Sequence, residues 1–94
     1  MRLDKIEMKA LQNAIKDKKL EIYLFGSRAD DNQKGGDIDI LVYSKENPLR
    51  LSMQISKEFF LECEEKIDVV VVDKDNMTLE QKAFISTLDL RKIQ

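Results

Sequence analysis

The most informative absence from this 94-residue sequence is histidine. Without histidine the usual Ser-His-Asp and Cys-His catalytic arrangements are excluded, and so are nearly all zinc sites. A metal site in this chain would be built from oxygen ligands, which suit hard cations such as magnesium, manganese or calcium. Any catalysis should therefore use carboxylates, lysine or arginine, or a metal ion held by oxygen atoms.

Cysteine and long apolar runs are also scarce. Cys63 is the only cysteine, so an intrachain disulfide is impossible and a reducing compartment is expected. The apolar run at 69–72 is far shorter than the roughly 20 residues that cross a bilayer. Residues 1–19 mix charges throughout and lack a signal-peptide pattern. We therefore expect a cytoplasmic protein without a membrane segment.

The sequence has no surplus of charge of one sign. Its 16 Lys and Arg nearly balance its 18 Asp and Glu, which gives a formal net charge of -2. Proteins that grip nucleic acid carry a basic surplus, so nucleic acid is not expected as the main partner. The hydrophobic fraction of 43% is sufficient for one packed core. The length predicts a single domain over residues 1–94.

Apolar spacing predicts alternating helices and strands. Apolar residues three and four apart predict a first helix that begins near Leu3 and ends in the charged stretch 16–19. Apolar runs predict strands at 20–25, 37–43 and 67–72. The nearly continuous β-branched run of the third strand indicates burial on both faces. This order is typical of an α/β or α+β domain, with helices packed on a mixed sheet of three to four strands.

Capping residues mark where the later helices begin. Asn47 and Pro48 provide an N-cap and a first-turn proline for a helix that reaches about residue 65. Thr78 and Gln81 match a capping box and predict a last short helix. A final edge strand is predicted at 88–93.

Aspartates begin two of the predicted strands. Asp37 and Asp39 are two residues apart, so they share a face with their backbones about 6.6 Å apart. Among apolar neighbours, unpaired carboxylates would cost several kcal/mol, and a divalent cation would compensate their charge. The alternative is that Asp37 ends a turn and Asp39 faces solvent. Asp68 begins another apolar strand, and a parallel crossover would bring it to the same end of the sheet.

The segment after the first strand has features of a phosphate-binding turn. Gly26 lets backbone amides approach a phosphate, and a helical turn after Ser27 offers free N–H groups and a hydroxyl. The alternative is a simple N-cap serine. Arg28 and Lys34 could add positive charge for a triphosphate or be solvated loop residues. The glycines at 35–36 are either simple turn glycines or residues that let the second strand start close beneath a ligand.

Together these residues predict phosphoryl or nucleotidyl transfer with two metal ions, which sit about 3.5–4 Å apart in such sites. In this interpretation Asp37 and Asp39 hold the metals that carry the triphosphate. Asp68 completes the second metal site and helps to deprotonate an acceptor hydroxyl.

The pattern Gly26-Ser27, nine residues, Asp37-x-Asp39 and a later Asp68 resembles the signature of the polymerase-beta-like nucleotidyltransferase superfamily. LFGSRA at 24–29 and GDIDILV at 36–42 are most similar to the minimal nucleotidyltransferases. The resemblance implies a mixed sheet with helices on one side, Mg²⁺ (or Mn²⁺), and ATP or another NTP as donor. It also implies catalytic, metal-binding aspartates at these three positions and a nucleotide-binding segment at Gly26, Ser27 and Arg28.

The same resemblance implies a helical partner protein of the HEPN type. The chain would then act as an antitoxin that transfers AMP to a tyrosine hydroxyl of this toxin. Two alternatives stay open: a non-enzymatic antitoxin or adaptor that acts by binding, and a small-molecule adenylyltransferase of the aminoglycoside-modifying type. A homo-oligomer is also compatible with the sequence. The set of aspartates favours catalysis over pure binding.

The last segment carries more apolar side chains than a short helix and an edge strand readily bury. These residues form either ordinary core or a partner-binding surface. They are Leu79, Phe84, Ile85, Leu88, Leu90 and Ile93.

Overall fold

A computed structural model describes residues 2–16, 18–32 and 36–94 of the chain. The described residues form a mixed sheet with three helices, which confirms the predicted fold class. The elements are α1 (Lys5–Ala14), β1 (Glu21–Phe25), β2 (Ile38–Tyr43), α2 (Pro48–Cys63), β3 (Ile67–Val72), α3 (Leu79–Ser86) and β4 (Arg91–Lys92). One 3-10 turn, Gly26–Ala29, follows β1 directly. None of the helices in this described part is long and apolar enough to cross a membrane.

The strand order in the sheet is β3-β2-β1-β4. β1 pairs antiparallel with β2 and with β4, whereas β2 and β3 are parallel. The parallel pair requires a crossover, which α2 provides. The end of β1 therefore meets the beginnings of β2 and β3 at one end of the sheet, as the sequence predicts.

A capping box opens α1. The Asp4 side chain accepts a hydrogen bond from the Glu7 amide at 2.7 Å, and the Glu7 side chain accepts one from the Asp4 amide at 3.0 Å. The helix ends at Ala14, before the charged stretch that the sequence analysis assigned to its end. Ile15 is nevertheless buried, because the chain continues over the core as it leaves the helix.

The two later helices begin where the sequence predicts. The Asn47 side chain caps α2 by accepting a hydrogen bond from the Arg50 amide, and Glu64 ends that helix with a φ of 58°. Thr78 and Gln81 form the predicted capping box of α3. These local bonds satisfy amides that the first helical turn leaves without partners.

The main hydrophobic core lies between the sheet and the pair α1 and α2. Its most buried side chains come from both helices and the central strands: Leu11, Ile22, Leu24, Ile40, Ile55 and Phe59. Burial of such side chains supplies most of the driving force for folding.

The second face of the sheet is covered by the C-terminal segment. Phe25, Leu41 and Val72 are buried there, and Ile85 and Leu88 pack against them. The expectation of helices on one side only is therefore wrong for this chain. The strands carry apolar side chains on both faces, so the second face also needs a cover, and α3 provides it.

Edge positions explain two further differences from the sequence analysis. Val69 and Val70 are only half-buried, so the expected burial of β3 on both faces is wrong for its first half. β3 lies at the edge of the sheet, where fewer neighbours cover it. β4, at the other edge, has two residues, whereas the sequence predicts an edge strand over 88–93, and Leu88 and Leu90 pack on the second face.

Some apolar side chains of the last segment lie in the core, and others lie at the surface. Ile85, Leu88 and Leu90 pack against the sheet, as in the ordinary-core interpretation. Leu79 and Phe84 remain 83% and 45% exposed. Two large apolar side chains of α3 are thus left at the surface.

Candidate functional site

Asp39 lies at the centre of the end of the sheet where the predicted site residues meet. It pairs in register with Phe25 of β1 on one side and with Asp68 of β3 on the other. Register partners on neighbouring strands point to the same face, so the two carboxylates stand side by side. Asp39 also lies two residues before Leu41, which places its side chain on the face that α3 covers.

Negative charge is concentrated at this pair. Partial burial raises the pKa of Asp39, and the charge of Asp68, a hydrogen bond with Asp68 and the charge of Asp37 raise it further. Two carboxylates can share a hydrogen bond only when one of them is protonated. A cation between them would relieve the same repulsion without a proton.

Asp37 precedes β2 and is exposed. Its charge acts on Asp39, so it belongs to the same acidic end of the sheet. Within residues 2–16, 18–32 and 36–94, no group of three or more Asp, Glu, His or Cys side chains is close enough to hold a metal ion. The structure thus brings Asp39 and Asp68 together and leaves Asp37 beside them. Metal binding by all three stays a prediction.

The donor set at this end of the sheet fits a hard divalent cation. Asp39 and Asp68 present carboxylate oxygens, and their mutual repulsion gives a cation an electrostatic advantage. Oxygen ligands are those that magnesium and manganese prefer. These two side chains are therefore the ones that would hold the ion.

Gly26 brings the turn after β1 into direct contact with Asp39. Its φ is 74°, and a Cβ added at this position would lie 2.7 Å from Asp39 Oδ2. Real Cβ atoms essentially never approach an oxygen so closely. Glycine is needed here both for the left-handed backbone conformation and for the close approach.

Ser27 is in contact with the other end of the loop. Gly36 has a φ of 91°, and a Cβ added there would run into Ser27 Oγ. The Ser27 hydroxyl therefore lies against the Gly36 backbone just before β2. Lys34 and Gly35, which the sequence analysis also considered, lie outside the described residues.

Arg28 gives its hydrogen bonds to protein groups. Its Nη1 and Nη2 atoms donate to the two carboxylate oxygens of Glu7 at 2.9 and 3.0 Å. Nη1 also donates to the Arg2 carbonyl at 2.9 Å, and Nε donates to the Gly36 carbonyl at 3.0 Å. The family resemblance implies that Arg28 is one of the nucleotide-binding residues, and a direct contact with nucleotide stays a prediction.

Glu7 is a residue of this region that the sequence analysis missed. It is the one buried charged side chain in the described part of the chain, at 2% exposure. Burial acts to raise its pKa, but hydrogen bonds with Arg28, the Asp4 amide and Glu65, together with the charge of Arg28, outweigh burial and lower the pKa. The Asp-x-x-Glu pattern at 4–7 was a signal for its capping role. Its ion pair with Arg28, 21 positions away, could not be recognised from the residues next to Glu7 in the sequence.

Comparison with known proteins gives one family match. Residues 8–90 match the family model described as "Polymerase beta, Nucleotidyltransferase". The match spans Gly26, Ser27, Asp37, Asp39 and Asp68. A comparison with curated proteins gave no match.

Proposed function

Because this chain belongs to the polymerase beta nucleotidyltransferase family, we propose that it transfers AMP from ATP to a hydroxyl group of a partner protein. The family match supports nucleotidyl transfer as the reaction class. One observation carries the proposal. The Gly26–Ser27 turn, Asp39 and Asp68 lie side by side along one end of the sheet.

Each of these groups has a role that its surroundings favour. The Gly26–Ser27 turn offers backbone amides and a hydroxyl to the phosphates. Asp39 and Asp68, with the exposed Asp37 beside them, would hold Mg²⁺ or Mn²⁺. The bound ion would supply positive charge that neutralises phosphate oxygens and stabilises the charge of the transition state. Asp68 is exposed, so an incoming hydroxyl can reach it, and we assign it the acceptance of the hydroxyl proton.

The proposed step balances as a substitution at phosphorus. The acceptor oxygen forms a bond to the α-phosphorus of ATP and loses its proton to Asp68. The bond between the α-phosphorus and the bridging oxygen breaks, and pyrophosphate leaves with the electron pair. The products are the AMP ester of the acceptor and pyrophosphate.

A protein acceptor is supported by the openness of the site. Asp37 and Asp68 are exposed, and an open site positions a second substrate poorly unless a partner covers it. Leu79 and Phe84 on α3 offer exposed apolar surface. The finer proposal, a HEPN-type toxin as partner, comes from the resemblance of residues 24–29 and 36–42 to minimal nucleotidyltransferases.

We predict that Mg²⁺ with ATP raises the melting temperature of the protein. The acidic pair is repulsive on its own, and a ligand that binds only the folded state stabilises it by mass action. At a hundredfold excess over Kd the gain is about 2.7 kcal/mol. Each 1 kcal/mol raises the melting temperature of a domain of this size by roughly 4–8 °C, so the expected rise is roughly 11–22 °C. Thermal melts with and without millimolar Mg²⁺, Mn²⁺ and ATP measure it. An unchanged melting temperature in all of them would contradict a metal–nucleotide site.

Minimal nucleotidyltransferases are often encoded beside a HEPN-type protein, so the function itself is tested on the product of the neighbouring gene. The two proteins are purified together and incubated with ATP and Mg²⁺, and intact masses are measured. We expect the partner to gain one or more AMP units with the parent protein and none with Asp39→Asn. A stable complex without any change in mass would instead support the non-enzymatic adaptor and contradict the transfer proposal.

A further inference from the structure

The N-terminal segment holds the carbonyl groups of the phosphate-binding turn. Arg2 Nη2 donates to the Ser27 carbonyl at 2.8 Å, and Arg2 Nε donates to the Asp30 carbonyl at 3.0 Å. The Arg2 amide donates to the Arg28 carbonyl at 2.7 Å. Cationic and N–H donors thus occupy the carbonyl end of the turn, where they also interact favourably with its dipole.

Arg28 connects the two ends of the loop to α1. Its own backbone lies at the start of the loop, and its Nε bonds to the Gly36 carbonyl at the loop's end. Both Nη atoms bond to Glu7. Glu7 is itself fixed by the Asp4 amide in the capping box of α1. One largely buried ion pair therefore links Gly26–Ser27 and Gly36, at the two ends of the loop, to a helix that packs on the sheet.

The low exposure of the Glu7–Arg28 pair indicates that its main role is not to stabilise the fold. The side chains of Glu7 and Arg28 are only 3% and 15% exposed. Burying two charges is costly, and well-packed apolar residues are often as stabilising or more so. A bidentate Arg–carboxylate pair adds geometric precision that apolar contacts lack.

From these contacts we infer that Glu7 and Arg28 are positioning residues that hold the Gly26–Ser27 turn in the geometry that binds nucleotide phosphates. The inference rests on the proposed nucleotidyl transfer. Arg28 acts through the turn and not on the phosphates, because four of its five N–H donors are engaged. A direct contact with phosphate would require it to release Glu7 or the loop.

Replacing Glu7 distinguishes a positioning role of Arg28 from a direct contact with phosphate. The two roles change the affinity for Mg²⁺–ATP in different directions. If Arg28 positions the turn, Glu7→Gln weakens Mg²⁺–ATP binding and lowers kcat/KM about tenfold to a hundredfold. If Arg28 contacts the phosphates, the same change frees it, and binding stays unchanged or tightens. Titration calorimetry gives Kd, and circular dichroism confirms that the variant is folded. Unchanged or tighter binding would overturn the inference.

Glu62→Gln is the matched control. Glu62 is an exposed carboxylate whose oxygen accepts a hydrogen bond from Asn13 at 2.7 Å. This hydrogen bond, like the Glu7–Arg28 pair, connects α1 to another part of the chain, in this case α2. Glu62 has no contact with the described residues of the loop after β1. We expect this variant to have the Kd and kcat/KM of the parent.

If Glu7→Gln does not fold, two further measurements test whether Arg28 positions the turn. Arg28→Lys keeps the charge but loses the bidentate geometry, and we expect a loss of the same size. In the parent protein, nitrogen-detected NMR follows the Arg28 guanidinium as Mg²⁺–ATP is added. We expect the Ser27 amide signal to shift while the guanidinium signals stay those of the Glu7-bonded state.

Guanidinium signals that shift as the bonds to Glu7 break would contradict the positioning role. A parent protein that shows neither a shift of the Ser27 amide nor any transfer would contradict the proposed function itself, and the inference with it. The NMR titration and the transfer assay together therefore distinguish the two failures.

Discussion

Asp39→Asn is expected to lower nucleotidyl transfer by about a thousandfold while the fold stays intact. Metal-assisted stabilisation of the transition state is worth several kcal/mol, and each 1.4 kcal/mol corresponds to about a factor of ten in rate. Asparagine keeps the shape of the side chain, and Asp39 lies between the Gly26 turn and Asp68. The substitution therefore removes charge at the centre of the site with little change in packing. Radiolabelled nucleotide transfer to the partner protein measures the loss.

The same substitution should leave the metal-free protein as stable as the parent or slightly more stable. Asp39 and Asp68 repel each other as neighbouring like charges, and asparagine ends that repulsion. The thermal shift caused by Mg²⁺ and ATP should shrink. Asp75→Asn is the control, since Asp75 is an exposed aspartate beside Lys45, beyond the far end of β3. Transfer by Asp39→Asn at the rate of the parent or of Asp75→Asn would show that the pair has no catalytic role.

The sequence predicts most of the elements because their signals are local. The β-branched run of β3 and the cap of α2 at Asn47 each depend on neighbours within a few positions. The meeting of Asp39 and Asp68 follows from one topological step, the parallel crossover through α2. Strand alternation then assigns both side chains to one face.

The parts that sequence reasoning missed depend on contacts between distant residues. Glu7 looks like an ordinary capping-box residue, and only the folded chain shows that it is buried against Arg28. Arg28 looks like a free positive charge near a phosphate loop, yet most of its donors are engaged. The placement of α3 on the second face is a similar case. Phe84 of α3 packs edge to face on Phe25, with ring centroids 6.0 Å apart, and no periodicity within α3 indicates that contact.

Gly26→Ala is expected to lower both the stability of the protein and its transfer activity. An L-residue at a φ of 74° is strained, and such strain costs about 1–3 kcal/mol. The added Cβ would also lie 2.7 Å from Asp39 Oδ2, so either the turn or the carboxylate must move. A displacement of about 1 Å in a reacting geometry can cost about a hundredfold in rate. We therefore expect transfer to fall by about a hundredfold, measured as kcat/KM at a temperature where the variant is folded.

A double-mutant cycle separates two contributions to the loss of stability in Gly26→Ala. One is the backbone strain at position 26, and the other is the steric clash of the new Cβ with Asp39. Asp39→Ala removes the carboxylate that the new methyl group would strike, while the strain at φ 74° remains. Gly26→Ala should therefore cost less unfolding free energy in the Asp39→Ala background than in the parent, because the two residues are coupled by contact. Urea denaturation of the four proteins gives the coupling energy. An equal cost in both backgrounds would mean that Gly26 does not lie against Asp39. The turn would then have no contact through which to align a phosphate with the acidic pair.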